Sequence, residues 1–204
     1  DTLHTFYPRD RAACREKYGF GREDKLVLGI AVGYGDPRKG ARYIIRAAKN
    51  LGDEVKVILI GWEESNNGML EGTDNIITFP GTADTHMLAE YYSMADVFVL
   101  PSLAENYATV SLESMACGTP VVGFDAGGIP EQLTGHKGIT VPTGNQEAFE
   151  EAIRQALRPD SGLLRGEELA TIIRRENSTQ KMVGEYLEIY EKLMSAGAGG
   201  KEPG

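Results

Sequence analysis

The chain has 204 residues, 41% hydrophobic and 25% charged, with a formal net charge of −9 and a mean hydropathy below zero, which suits one domain around one sizeable core. The acidic balance excludes a general phosphate-backbone binder of nucleic acid, which needs a broad excess of Lys and Arg. No apolar run approaches the roughly 20 residues of a membrane span and no signal peptide is visible, while Cys14 and Cys117 have neither metal-ligand spacing nor the density of a disulfide scaffold, so a cytoplasmic chain is the simpler expectation.

In chain order, the segment from Asp1 to Phe20 begins irregularly and reads as helix after Pro8. LVLGIAV (26–32) is a buried strand, followed by a loop to Lys39 and an amphipathic helix over 40–51. EVKVILIG (54–61) is a second strand and NIITFPG (75–81) a short third. A helix over 84–95 leads to the strand VFVLPS (97–102), a helix over 109–117 and the strand PVVGF (120–124). GITVP (138–142) closes the sheet, with helices expected over 145–157, 161–176 and 178–194. The tail AGAGGKEPG (196–204) is too rich in Gly and Pro to hold a fixed structure. Strands alternating with helices predict a doubly wound α/β fold, a Rossmann-like parallel sheet with helices on both faces.

Two carboxylates, Glu105 and Glu113, stand eight residues apart around the start of the helix that follows VFVLPS. The loop from Leu103 to Ala108 should lie at the carboxyl end of a strand, where open α/β sheets bind ligands. Free N–H groups near Thr109 and Val110 favour a phosphate there. Glu113, one turn inside, can point back toward the helix start. Carboxylates beside a phosphate make sense if they accept hydrogen bonds from hydroxyls, so the expected ligand is part phosphate and part polyol.

A second anchor is the segment from Gly33 to Gly40, GYGDPRKG. A dinucleotide fingerprint needs G-x-G-x-x-G, with two residues between its last two glycines, but here four residues separate Gly35 from Gly40; a nucleoside-triphosphate loop needs Lys and then Ser or Thr after the last glycine, but Ala41 follows Gly40. What remains is Arg38 and Lys39 at the mouth of the sheet, two cations suited to a diphosphate. Their plainer reading is a pair of solvated charges before a helix. Cys117 reads as a packing residue, Trp62 as a shield of the crevice rim or a cover for the core, and Gly127 and Gly128 as a close approach to ligand or a simple turn. His4, His86 and His136 show no partnering pattern.

The order Glu105, seven residues, Glu113, a helix with SMACGTPVV and then a GGIPE turn resembles the donor-binding half of retaining glycosyltransferases of family 4, which have the GT-B fold. The resemblance implies transfer of a sugar from a nucleoside-diphosphate sugar to a glycan, lipid or small-molecule acceptor, of the kind used in cell-envelope polysaccharide biosynthesis. It implies that Glu105 touches the transferred sugar and Glu113 the ribose, with Tyr107, Ala108, Thr109 and Val110 around the ligand and backbone near Ala83 reading the nucleobase. Lys39 matches the lysine of the family's KG pair. The family's arginine five or six residues earlier is replaced by Gly33 and Tyr34, and Arg38 is expected to supply the second cation. Tyr107 stands where the family often has Phe, and Asn106 and Ala108 where it often has Gly. No Asp-x-Asp pair is present, in keeping with a metal-independent site without a cofactor.

The same resemblance makes residues 1–20 an interdomain connection and first helix, 21–160 the nucleotide-sugar-binding domain, and 161–195 the C-terminal helices that cross to a missing N-terminal acceptor domain. Membrane contact is then expected only through that missing half, and this chain alone should bind nucleotide but turn over poorly. The alternatives are a non-catalytic nucleotide-sugar binding module, a sugar-nucleotide epimerase and, last, a dehydrogenase.

Overall fold

A computed structural model describes residues 4–30, 36–62 and 68–198. The readings placed on Gly33, Tyr34, Gly35 and residues 199–204 lie outside the described residues. The chain runs α1 (Arg11–Lys17), β1 (Lys25–Ile30), a 3-10 turn (Pro37–Lys39), α2 (Ala41–Leu51), β2 (Val55–Ile60), β3 (Ile76–Phe79), α3 (Thr85–Met94), β4 (Val97–Leu100), α4 (Thr109–Ala116), β5 (Val121–Phe124), α5 (Ile129–Gln132), β6 (Gly138–Val141), α6 (Gln146–Ala156), α7 (Gly166–Glu176) and α8 (Thr179–Ala198).

The strands form one six-stranded sheet in the order β3-β2-β1-β4-β5-β6, and every pair is parallel. Successive side chains of a strand point to opposite faces, which explains the two cores. Leu26, Leu28, Ile58, Ile60, Phe98 and Leu100 face a cluster covered by α1, α3, α4 and α7. Val27, Val57, Leu59, Val97 and Val99 face a second cluster covered by α2 and α6. Leu26 to Leu28 and Val97 to Leu100 are buried on both faces, which is why they read as continuous apolar runs, whereas the edge strand β3 is only partly buried. Trp62 belongs to the second cluster and is buried, so it covers core. Cys117 is buried in the first cluster, and burial pushes its thiol up to about 12.

The chain leaves β1 toward β2 and β3 on one side and returns to β4 on the other. Loops leaving neighbouring strands in opposite directions open a crevice at the carboxyl edge between β1 and β4. Below it, Asp96 at the head of β4 accepts from the backbone N–H of Leu26 (2.7 Å) and from the Arg15 guanidinium (2.9 Å). Arg15 is almost completely buried, and its remaining donors reach the carbonyls of Met94 and Arg22, so its charge is paired and hydrogen-bonded as a buried cation must be.

Three elements differ from expectation. The helix anticipated over 161–176 starts only at Gly166, because the Leu164 N–H bonds the distant His136 carbonyl and the Gly166 N–H bonds the Gly118 carbonyl. The GGIPE turn continues into a single helical turn, α5, with Pro130 in its first turn where its missing N–H is harmless. The last helix, expected to stop at 194, runs to Ala198.

Candidate functional site

The crevice is built by three loops that approach each other too closely for ordinary side chains. After β1, Asp36 caps the 3-10 turn by accepting from the Arg38 N–H (2.9 Å), with Pro37 starting it and Gly40 closing it at φ +71°. A Cβ on Gly40 would lie 1.9 Å from the Pro101 carbonyl oxygen. The Leu103 N–H bonds the Arg38 carbonyl (2.7 Å), tying this turn to the loop after β4. The third loop, after β5, clasps the same segment from the other side. Gly127 has φ +55°, a Cβ on it would sit 1.5 Å from the Glu105 carbonyl oxygen, and the Gly128 N–H bonds the Asn106 carbonyl (2.8 Å). The two glycines are therefore required by loop-to-loop packing.

This clasp brings Lys39 and Glu105, 66 residues apart in sequence, to 3.3 Å between Nζ and Oε2. Both line a cavity of about 260 Å³ together with Ile30, Pro101, Ser102 and Val110. That volume is below the ~300–1,000 Å³ of pockets that enclose a whole small ligand, as befits one wall of an open crevice. Ser102 is completely buried, and among the described residues its Oγ is the one buried side-chain N or O without a hydrogen-bond partner.

Above the cavity α4 begins. Its N-cap residue, Ala108, offers no side-chain acceptor, so the N–H groups of the first turn, from Thr109 and Val110 onward, are left to other partners and carry the positive end of the helix dipole. The Ala108 carbonyl is fixed instead, accepting from the Gln132 amide (3.3 Å), and the Ser111 hydroxyl lies within reach of both that carbonyl (2.8 Å) and Gln132 Oε1, with one proton to give to either. Gln132 reaches this network from α5. Glu113 lies three residues after Val110, on the same helix face one turn in, and is partly buried. Its Oε2 accepts from the Tyr92 hydroxyl at 3.1 Å; burial pushes its carboxyl above the usual carboxylate range while the Tyr92 hydrogen bond pulls it down.

Other sequence-predicted residues lie around this centre. Arg38 is exposed and turns its guanidinium onto the Asp36 carboxylate (2.7 Å); those hydrogen bonds hold the Asp36 carboxyl down at about 2. It contributes no wall to the cavity formed by Lys39 and Glu105. Tyr107 is half exposed, and its hydroxyl donates to Asn177 Oδ1 (3.2 Å), in the joint between α7 and α8. Ala83 is exposed in the loop between β3 and α3, on the carboxyl edge of the sheet, next to Asp84, which caps α3. Ser102, Gln132 and Tyr92 were not singled out by sequence. The signal for Gln132 is a polar residue shortly after the Gly127-Gly128 turn and that for Ser102 a polar residue ending the apolar strand VFVLPS; Tyr92 carried none, being one of two adjacent tyrosines in a helix. Among the described residues no group of three or more His, Cys, Asp and Glu could hold a metal ion, and no helix is long and apolar enough to cross a membrane.

A family model described as glycosyl transferases group 1 matches residues 26–159. The D-inositol 3-phosphate glycosyltransferase of Mycobacteroides abscessus is 34% identical over 167 residues, covering 76% of this chain and 37% of that protein. The N-acetyl-alpha-D-glucosaminyl L-malate synthase of Bacillus anthracis is 28% identical over 208 residues, 96% of this chain and 53% of that protein. Sucrose-phosphate synthase from Thermosynechococcus elongatus superimposes with a TM-score of 0.79 at 26% identity, over 95% of this chain and 51% of that one. Anabaena Alr3699/HepE, solved in complex with UDP-glucose, has the same fold, with a TM-score of 0.70 at 20% identity over 93% of this chain and 54% of that one. The chain thus spans between about a third and about a half of the length of these curated relatives.

Proposed function

Because this chain belongs to the glycosyl transferases group 1 family, we propose that it is the donor-binding half of a retaining, family 4 glycosyltransferase, transferring a sugar from a nucleoside diphosphate to an acceptor. The observation that carries this reading is the pairing of Lys39 with Glu105 at 3.3 Å, at the strand-order switch and beside the uncapped start of α4. Lys39 and the α4 N–H groups hold the diphosphate. Glu105 accepts from hydroxyls of the transferred sugar, Glu113 accepts from the ribose, and backbone near Ala83 faces the base. Tyr107 and Ala108 shape the loop around the sugar.

When the bond from the anomeric carbon to the diphosphate breaks, negative charge gathers on the departing nucleoside diphosphate. Preorganised donors aimed at that charge lower the barrier; removing one costs about 100- to 1,000-fold in rate. Lys39 and the helix start serve as those donors without a metal, and Arg38 adds its charge from the rim once a diphosphate competes with Asp36 for it. Residues 21–160 carry this site, and 161–195 lead toward the acceptor half. Because the chain spans no more than about half of its relatives, it binds donor but by itself transfers little, acceptor binding and closure over the donor belonging to the remainder.

Calorimetric titration with uridine, guanosine and adenosine diphosphates, and with their glucose conjugates, tests this. Glu113→Ala should weaken every nucleoside diphosphate that binds. Glu105→Ala should spare the free diphosphate and weaken only the sugar conjugate. Equal losses in both variants, or no binding by any of the six compounds, would end the assignment.

A further inference from the structure

Glu113 cannot hold a ribose unless its carboxylate is aimed, and the structure contains the device that aims it. We propose that Tyr92 is a positioning residue for nucleotide recognition, its hydroxyl fixing one oxygen of Glu113 so that the other is presented to the ribose; this rests on the ribose role given to Glu113 above. Tyr92 lies on α3 and is fully buried. Its ring packs edge-on against Phe6 (6.2 Å between centroids) and Phe98 (5.4 Å), and its backbone carbonyl accepts from the Thr119 hydroxyl (2.6 Å). Held on both sides, the ring has no freedom to swing.

The hydroxyl projects from this socket to Glu113 Oε2 at 3.1 Å. An ionised carboxylate is acceptor-only, with about four lone-pair sites on two oxygens. Among the described residues Tyr92 is the hydrogen-bond donor to this carboxylate, on Oε2, and a vicinal diol, which brings its own O–H donors, is the chemistry that suits Oε1. A buried tyrosine needs a hydrogen-bond partner for its hydroxyl, so the contact is held from both ends. Without Tyr92 the partly buried carboxylate would keep its place on α4 but lose its fixed rotamer, and the ribose would have to order it on binding.

The test uses the 204-residue chain, the tightest binder among uridine, guanosine and adenosine diphosphates, and the 2′,3′-dideoxy form of the same compound. Tyr92→Phe should lower affinity for the ribonucleotide about 3- to 10-fold, the worth of one oriented hydrogen bond, and leave the dideoxy compound unchanged. In the Glu113→Ala background the same substitution should change neither affinity. Equal losses for both compounds, or an unchanged ribonucleotide affinity where Glu113→Ala weakens it, would overturn the positioning role. If Glu113→Ala itself leaves the ribo-to-dideoxy ratio unchanged, or if none of the three diphosphates binds, the ribose assignment fails and this inference with it. Should Tyr92→Phe not fold, 3-fluorotyrosine at position 92, a stronger donor of nearly equal size, must alter that ratio; an unaltered ratio refutes the proposal.

Discussion

Between Arg38 and Gly128 three loops are held in direct backbone contact, whereas from Thr179 to Ala198 a helix of 20 residues leaves its apolar side chains in solvent. In the loops, Gly40 and Gly127 sit where a single added carbon would overlap a carbonyl. On α8, Met182, Val183, Tyr186, Leu187, Ile189, Tyr190, Leu193 and Met194 are between 47% and 76% exposed. Most of a helix's stability in a protein comes from the face it buries, and among the described residues α8 buries little. The difference separates two kinds of completeness. The crevice has its geometry within this chain, while the helix has the composition of a packed element without the packing. Under the proposed function that face belongs against the remainder of the enzyme.

The sharpest way to break this contrast is to crowd the loops. Gly127→Ala adds a Cβ at φ +55° against the Glu105 carbonyl, and urea unfolding should show a loss of about 2–4 kcal/mol from strain and overpacking together. Gly135→Ala has a similar φ of +69° but nothing within 4 Å, so strain alone should cost it about 1–2 kcal/mol. If the two variants unfold alike, the loops are not clasped.

A smaller effect of opposite sign is expected on α4. Burial raises the Glu113 carboxyl above its unfolded value, so the native state holds that proton more tightly than the unfolded chain. Its contribution to stability is fullest below the ordinary carboxylate range and is lost as pH rises through the raised folded value. Glu113→Gln removes the buried charge and should raise stability at neutral pH by up to about 1 kcal/mol, or ~2–4 °C in Tm. That gain should shrink as the solution is acidified, and calorimetric scans across pH measure it. Nucleoside diphosphate affinity should fall in the same variant, a site-for-stability exchange of a familiar kind. The smallest change belongs to α8: Leu187→Glu with Tyr190→Glu should move the core unfolding midpoint by no more than about 0.5 kcal/mol per site, as for surface positions. A loss several times larger would show that α8 is packed after all.

Much of the fold was legible because it is local. Val97–Leu100 and Val121–Phe124 are short runs of mostly β-branched and aromatic residues bounded by Asp and Pro, and Val55–Ile60 keeps that character around a single Lys56 before Gly61; doubly covered parallel strands have that composition. The start of α7 was not legible. Leu163, Leu164 and Arg165 have side chains that suit a helix, yet the bonds of this stretch to the His136 and Gly118 carbonyls come from turns 28 and 48 residues away, which no local pattern encodes. The crevice divides likewise. Lys39 and Glu105 stand at the carboxyl edge because each follows a strand by a short loop. Arg38 was expected as a second cation beside Lys39, but Asp36, two residues earlier, holds its guanidinium; the Asp-Pro-Arg spacing held that clue. The hydroxyl that reaches Glu113 belongs to α3, and only the folding of α3 beside α4 brings it there.

The Lys39–Glu105 pair also sets what the crevice rejects. Each group is the other's counterion, so a passing sulfate or inorganic phosphate must part the lysine from its companion and then sit beside an unbalanced acid. Under the proposed function such ions should make poor mimics of a nucleoside-diphosphate sugar, and a compound that imitates charge alone should bind less well than one that also satisfies the displaced glutamate.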